Sequence, residues 1–309
     1  MTAMSPRLHV LAASFWREWH RELRRQAGDE RLPYQVRTHL RRSADRALRR
    51  SAVEEQRGVV PRWNRRTIAG AAPIRLPPDD EQRGRRLAAE CGVVPGQPMV
   101  AVEIQRRADR LSGAIDLLSA EGFRIVRIGD PVAGPLRGPG VLDLASNPRR
   151  TPLLDTYLLL ASAFVVCSSA ELQQTALMGH TPSLRIDARD AFTAYPVRRD
   201  GVFTLSTVVD LDTGRALAIR DLLAEGYFHN TRNYGYRPTN AAEITEAARE
   251  MVEGVRAGWR DSEAQIRFRR AVADAGVAMG HVRHVAEWDG ASGFIGDGRL
   301  ARVQADRAL

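Results

Sequence analysis

The chain contains no lysine, so all 46 of its basic residues are arginine. Residues 1–97 hold 20 of these arginines but only 11 of the 37 acidic residues, which places the whole net charge of +9 in the first third. Such a basic segment attracts anionic partners, nucleic acid or an anionic membrane surface among them. Exclusive use of arginine with abundant alanine and glycine is also typical of a GC-rich genome, which weakens that inference. Aromatic residues are sparse in this segment and no nucleic-acid-binding motif accompanies them, so nucleic acid is not the partner we expect.

Cysteine and long apolar runs are scarce as well. Cys91 and Cys167 are the only cysteines, too few for a disulfide framework or a cysteine-based zinc site. We expect Cys167, which ends an apolar run, to be a buried and unreactive thiol, as suits a reducing cytoplasm. The longest apolar stretch, residues 153–167, contains Asp155 and is too short to span a bilayer. Because the first residues also lack the pattern of a secretory signal, we expect a cytoplasmic protein without a transmembrane helix.

The first part of the chain has a helical pattern. Leu8, Leu11, Phe15 and Trp19 recur at three- and four-residue steps and form one apolar face. That face could pair with a second copy of the chain or with a partner protein. A proline-rich stretch follows from about residue 58. We therefore predict a helical, arginine-rich N-terminal region with a linker over residues 1–78.

Residues 79–260 have the pattern of an α/β domain. Apolar strands alternate with helices of about ten to fifteen residues, which indicates βαβ units, a parallel sheet and helices on both of its faces. The predicted strands are 99–104, 123–128, 141–144, 164–167 and 182–186. The predicted helices are 81–91, capped by Asp79 and Asp80, then 109–121, 153–163, a helix opened by residues 168–171 that ends near Gly179, and 240–256, capped by Asn240. We predict a Rossmann-like domain here, with a hairpin strand within 200–210, a loop at 230–238 and a helical tail over 261–309.

The turn after the strand at 164–167 is the first candidate binding site. Ligands of open parallel sheets bind at the carboxyl ends of the strands. Ser168 and Ser169 begin a helix there, and the free backbone N–H groups of a helix N-terminus favour a phosphate. Glu171 follows and could bond a ribose or sugar hydroxyl. The alternative is that Ser169 and its neighbours only cap the helix.

A second candidate set follows the first two strands of the sheet. Arg106, Arg107 and Arg127 offer planar guanidinium groups that match the oxygens of a diphosphate, and Asp130 lies in the next turn. The alternative is that each is a solvated arginine in an arginine-rich chain. His281, His284 and Glu287 are spaced like metal ligands, but we favour a polar surface there and predict no metal site.

Four stretches in the same order resemble a family of bacterial glycosyltransferases of the GT-B-like type, over about residues 98–253. They are PMVAVEIQRRADRLSGAIDLLSAEGFRIVRIGD, LLDTYLLLASAFVVCSSAELQQTALMGHTP, DGVFTLSTVVDLDTGRALAIRDLL and NAAEITEAAREMVEG. Two departures stand out. The family usually shows His-x-Arg where this chain has Glu103 to Arg106, and the N-terminal third shows no βαβ pattern of an acceptor-binding half.

The resemblance implies a fold like the C-terminal, donor-binding half of a GT-B enzyme. It also implies a nucleotide-sugar donor as substrate, held without an obligatory metal and without a further cofactor. Arg107, Arg127, Ser168 and Ser169 fall on family-patterned positions. Glu103 would serve as the general base in place of the missing histidine.

Three functional hypotheses follow. The first is a glycosyltransferase-like protein that transfers a sugar from a nucleotide sugar to an unknown acceptor. The second is a non-catalytic relative that binds a partner protein through its N-terminal helix. The third is a protein that binds nucleic acid or an anionic membrane through its basic N-terminal region.

Overall fold

The computed structural model describes residues 21–27, 29, 36–44, 46, 73–189, 191, 196, 198–224, 227, 233–278 and 297–307. Residues 21–27 and 36–44 are helical, and Arg42 Nη2 in the second of these lies 3.0 Å from Asp212 Oδ1. Apart from residues 29, 46 and 73–78, the rest of the region predicted over 1–78 lies outside the described residues and stays a prediction, including the apolar face from Leu8 to Trp19.

A seven-stranded parallel sheet is the centre of the fold, in the order β3-β2-β1-β4-β5-β6-β9. A separate antiparallel pair is formed by β7 and β8. The strands are β1 Met99–Glu103, β2 Arg124–Arg127, β3 Val141–Asp143, β4 Phe164–Cys167, β5 Ser183–Ala188, β6 Gly201–Leu205, β7 Thr207–Asp210, β8 Tyr234–Arg237 and β9 Arg299–Leu300. The predicted parallel α/β architecture is confirmed, and the first five strands lie where the apolar runs predicted them.

Helices cover both faces of the sheet, as the nearly all-apolar strands predicted. The α-helices with described bounds after residue 73 are α1 Pro78–Glu90, α2 Ser112–Ala120, α3 Pro152–Ala161, α4 Ala170–Met178, α5 Ile219–Leu222, α6 Ala241–Ala257, α7 Glu263–Ala278 and α8 Arg302–Ala305. Helices α2 and α6 pack on one face, against side chains such as Val100, Phe164 and Leu184. Helices α1, α3 and α4 pack on the other, against Ala101, Val165 and the fully buried Cys167.

The second half of the chain extends the sheet in a way that the sequence did not predict. The segment predicted as one hairpin strand is divided: β6 adds to the main sheet and β7 leaves it to pair with β8, which was predicted as a loop. The predicted helical tail also supplies β9, whose Leu300 pairs with Phe203 of β6. Phe268 of α7 packs on the same strand, with its ring centroid 6.3 Å from that of Phe203.

Two predicted helix caps have different outcomes. Asn240 caps α6 as predicted, since its Oδ1 accepts a hydrogen bond from the backbone N–H of Glu243 at 2.9 Å. The prediction for α1 is wrong: the N-cap is Pro77, and Asp79 and Asp80 lie within the first turn. There they face the positive end of the helix dipole instead of accepting a capping bond. No described helix is both long and apolar enough to cross a membrane.

Candidate functional site

The carboxyl ends of β1 and β4 lie side by side at the point where the strand order reverses. Strands β2 and β3 lie on one side of β1, and the next strand along the chain, β4, lies on the other side. Crevices at such a switch point are where open α/β sheets bind ligands. A cleft of about 400 Å³ lies here, lined by Glu103, Gln105, Arg106, Gly129, Asp130, Arg150, Ser169 and Leu172.

The carboxylate of Glu103 spans this switch point. Glu103 is the last residue of β1 and pairs in register with Cys167 of β4. Its Oε2 accepts hydrogen bonds from the backbone N–H groups of Ser168 at 3.0 Å and Ser169 at 3.1 Å. The Ser168 hydroxyl donates to the same oxygen at 3.4 Å. The amides predicted to receive a ligand phosphate are therefore held by a carboxylate of the chain itself, and Oε1 of Glu103 receives no hydrogen bond from the described residues.

Gly129 makes room for the Glu103 side chain. It has a φ of +80°, which a side chain adopts only with strain. A Cβ at this position would also lie 2.9 Å from Cγ of Glu103. Glycine two residues after β2 thus allows the carboxylate of the neighbouring strand to reach α4.

The two serines use their hydroxyls within the fold. Ser169 caps α4, since its Oγ accepts from the backbone N–H of Leu172 at 3.3 Å. Ser168 Oγ accepts from the backbone N–H of Gln105 at 3.0 Å and so ties the turn after β1 to the turn after β4. The capping arrangement considered from the sequence is present, and of the two serines Ser169 lines the cleft.

The remaining predicted site residues divide into two groups. Arg106 and Asp130 line the cleft together with Glu103 and Ser169. Arg107 does not: it has a left-handed backbone with φ 53° and an exposed ion pair with Asp109 at 3.0 Å. The hydrogen bond that this guanidinium donates to Asp109 raises its pKa. Glu171 is exposed in the first turn of α4 and does not line the cleft.

Arg127 is built into the protein interior. Only 1% of its side chain is exposed, and it forms an ion pair with Asp143 at 3.1 Å. Its guanidinium also donates to the backbone oxygens of Gly134 and Asp130. Asp143 in turn accepts from the backbone N–H groups of Leu136 and Ala145, at 2.8 and 3.1 Å. These bonds hold the 130–136 loop against β3, so Arg127 shapes the edge of the sheet and does not line the cleft.

Arg150 is a cleft residue that the sequence reading missed. It lies between β3 and α3, a segment in which the sequence analysis predicts no site residue. Its Nη2 lies 2.8 Å from Asp155 Oδ2 and its Nη1 lies 3.4 Å from Asp130 Oδ1. Hydrogen bonding to Asp155 raises the pKa of the guanidinium. The rule that directed attention to the residues after β1, β2 and β4 also applies after β3 and would have found it.

A buried ion pair at the carboxyl end of β5 was missed as well. Arg110 donates to both carboxylate oxygens of Asp187, at 3.0 and 2.6 Å. It also donates to the backbone oxygen of Thr239 at 2.6 Å. Asp187 has a φ of +60° at an irregularity in the pairing of β5 with β6. The pair joins β5, the turn after β1 and the loop before α6 at the carboxyl edge of the sheet.

Within the described residues, no three or more histidine, cysteine, aspartate or glutamate side chains are grouped to hold a metal ion. His281, His284 and Glu287 lie outside the described residues. The chain matches no protein-family model, no curated protein and no solved structure in the three comparisons.

Proposed function

We propose that the cleft between β1 and β4 binds the diphosphate of a nucleotide sugar and that the protein acts as a glycosyltransferase-like enzyme. The observation that carries the proposal is a polar cleft at the switch point of a parallel sheet, with two arginines on its walls. Open sheets of this order bind nucleotides at that point. The resemblance of residues 98–253 to GT-B-like glycosyltransferases supports the same ligand class.

We assign the phosphate of this proposal to the arginine side of the cleft. Glu103 already satisfies the backbone N–H groups of Ser168 and Ser169. A phosphate beside them would meet this carboxylate, and like charges in close contact repel. Arg106 and Arg150 line the same cleft, and guanidinium groups bind phosphate oxygens through paired hydrogen bonds. These two side chains form the proposed diphosphate site, and Asp130 lines the same cleft.

Glu103 has a distinct role in this proposal. Oε2 is held by two backbone amides, which fixes the position of the carboxylate. Oε1 faces no donor among the described residues, and the residue lines the cleft. This oxygen would accept the proton of an acceptor hydroxyl, which is the task of a general base. The acceptor loses that proton as its oxygen bonds to the sugar, and the nucleoside diphosphate leaves with the electron pair of the broken bond.

A matched pair of variants tests the binding step. Arg106→Gln removes a charge from the cleft, whereas Arg107→Gln removes the same charge one residue away, outside it. Calorimetry with the five common nucleoside diphosphates and their sugar conjugates should show binding to the unaltered protein. Loss of a charge-assisted hydrogen bond of about 1.5–3 kcal/mol weakens binding about tenfold or more. We expect that loss for Arg106→Gln and not for Arg107→Gln.

Turnover separates an enzyme from a non-catalytic relative. Release of nucleoside diphosphate from a nucleotide sugar, with water as acceptor, should occur with the unaltered protein and fall strongly in Glu103→Gln, while donor binding persists. Binding without any release would favour the partner-binding hypothesis. No binding by any nucleotide of the panel would contradict the proposed function itself.

A further inference from the structure

A second cleft adjoins the first along the carboxyl edge of the sheet. It has a volume of about 650 Å³ and lies between the turn after β3 and the start of α3. Its polar walls are formed by Ser146, Asn147, Arg150, Thr151, Asp155 and Thr156. Arg150 lines both clefts. A ligand that occupies both must therefore pass its guanidinium group.

The hydrogen bonds of Arg150 leave one side of it open to a ligand. Nε and Nη2 both approach Asp155 Oδ2, at 2.9 and 2.8 Å, so this half of the guanidinium is fixed. Nη1 has only a long contact of 3.4 Å with Asp130, whose side chain is 79% exposed. An exposed carboxylate at that distance contributes little and is easily displaced. Arg150 is thus held in place at one edge while its other edge can bind an anion.

The second cleft has the polar groups that hydroxyls require. Asp155 Oδ1 is buried without a hydrogen-bond partner among the described residues, which is costly for a carboxylate oxygen unless a ligand donates to it. Asn147 Oδ1 accepts a hydrogen bond from the backbone N–H of Arg149, and the side-chain amide hydrogens of Asn147 remain available to a ligand. Thr156 donates its hydroxyl hydrogen to the backbone oxygen of Pro152, and its hydroxyl oxygen can still accept a hydrogen bond from a ligand. Neighbouring donors and acceptors of this kind complement adjacent hydroxyls on a sugar ring.

We infer that the second cleft binds a polyhydroxylated ring of the ligand and that Arg150 binds the phosphate group that joins this ring to the rest. The inference rests on the proposed function and deepens it, because it divides the nucleotide sugar between two clefts. The ring is either the ribose of the nucleotide or the transferred sugar, since both present adjacent hydroxyls next to a phosphate.

Three probes separate the phosphate from the two rings. Inorganic pyrophosphate carries no hydroxylated ring, a nucleoside diphosphate carries only ribose, and glucose 1-phosphate carries only a hexose. Arg150→Gln should weaken binding of all three about tenfold or more, from loss of a charge-assisted bond. Arg149→Gln is the matched control, because Arg149 is exposed and lines neither cleft.

Filling the second cleft tests the ring site. Ser146 is exposed on its wall and Ser146→Trp would occupy the space without removing a bond of the fold. Pyrophosphate should bind this variant as it binds the unaltered protein. Weaker binding of the nucleoside diphosphate alone identifies ribose as the ring in the cleft, and weaker binding of glucose 1-phosphate alone identifies the sugar. Thr213→Trp, on the exposed turn after β7, controls for the added indole.

The results that overturn the inference differ from those that overturn the proposed function. If nucleoside diphosphates bind and Arg150→Gln behaves like Arg149→Gln, Arg150 is not a phosphate ligand. If Ser146→Trp binds all three probes with unchanged affinity, the second cleft is not a subsite. In both cases binding by the unaltered protein leaves the first cleft in place. Only the failure of the unaltered protein to bind any probe contradicts both the proposed function and the inference about the second cleft.

Discussion

Glu103, the last residue of β1, accepts a hydrogen bond at 3.1 Å from the backbone N–H of Ser169, the N-cap of α4. This bond crosses the switch point of the sheet and joins two elements that are distant in sequence. It satisfies an amide that a helix start otherwise leaves open, and it places a negative charge where an anionic ligand was expected to bind. The position of the phosphate in the proposed site follows from this one contact.

Glu103→Ala should destabilise the protein and create an anion site. The backbone N–H of Ser169 loses its acceptor, which costs about 1–3 kcal/mol, whereas that of Ser168 keeps the backbone oxygen of residue 103 at 3.2 Å. The helix N-terminus is then free to bind phosphate. Urea unfolding with and without inorganic phosphate should show a larger stabilisation by phosphate in the variant than in the unaltered protein. Glu171→Ala, which removes an exposed acid from the same helix turn, should show neither effect; equal responses of the two variants would contradict the assignment.

Gly129→Ala should destabilise the protein more than Gly122→Ala does. Both glycines have a positive φ, +80° and +82°, so alanine introduces backbone strain of about 1–3 kcal/mol at either position. Only at Gly129 would the new Cβ also meet Glu103, whereas nothing lies within 4 Å at Gly122. The difference between the two free energies of unfolding measures the contact with Glu103. It should disappear when both glycine variants are made in a Glu103→Ala background.

Asp143→Ala should be among the more destabilising single changes in the domain. It leaves the guanidinium of Arg127, 1% exposed, without its carboxylate, and breaking a buried pair from one side costs about 3–5 kcal/mol. Asp109→Ala is the control, because Asp109 pairs with Arg107 at a similar distance but in solvent and should change stability little. Chemical denaturation of the unaltered protein and the two variants measures the loss in free energy of unfolding. Equal losses in the two variants would show that burial of Arg127 does not require Asp143.

The buried Glu250 should make stability depend on pH. Burial raises its pKa above the ordinary 4.5, against hydrogen bonds from the backbone of Arg302 and from Gln265 that lower it. A raised pKa means that the folded protein holds the proton more tightly than the unfolded chain does. The stabilisation is therefore present below pH 4.5 and is lost as the pH rises through the raised value.

Glu250→Gln isolates that contribution, because the amide does not titrate. The free energy of unfolding of the unaltered protein, relative to this variant, should fall as the pH rises from about 4.5. The exposed Glu253, which pairs with Arg302 at the surface, serves as the control in Glu253→Gln. Parallel pH profiles for the unaltered protein and Glu250→Gln would show that Glu250 does not cause the pH dependence of stability.

The parallel sheet could be predicted because its determinants are local. Runs such as Phe164–Cys167 are wholly apolar and are followed by helical segments of regular length, which is the pattern of a strand covered on both faces. The strands β8 and β9 could not be predicted in this way. Tyr234–Arg237 pairs with a segment more than twenty residues away, and Arg299–Leu300 is two residues long and is held by β6. Pairing decides such strands, and pairing is a property of the folded chain.

The candidate site shows the same division. From its own residues the sequence determined which strand ends carry polar groups, and it predicts Glu103, Arg106, Asp130 and Ser169 as site residues without knowledge of their neighbours. Only the tertiary structure decided that Glu103 occupies the amides of α4, that Arg127 is buried against Asp143 and that Arg150 lies between two clefts. A strand end places a side chain at an edge of the sheet through local chemistry alone. Which partner it then bonds depends on groups brought together from distant parts of the chain, and no local pattern of residues encodes that choice.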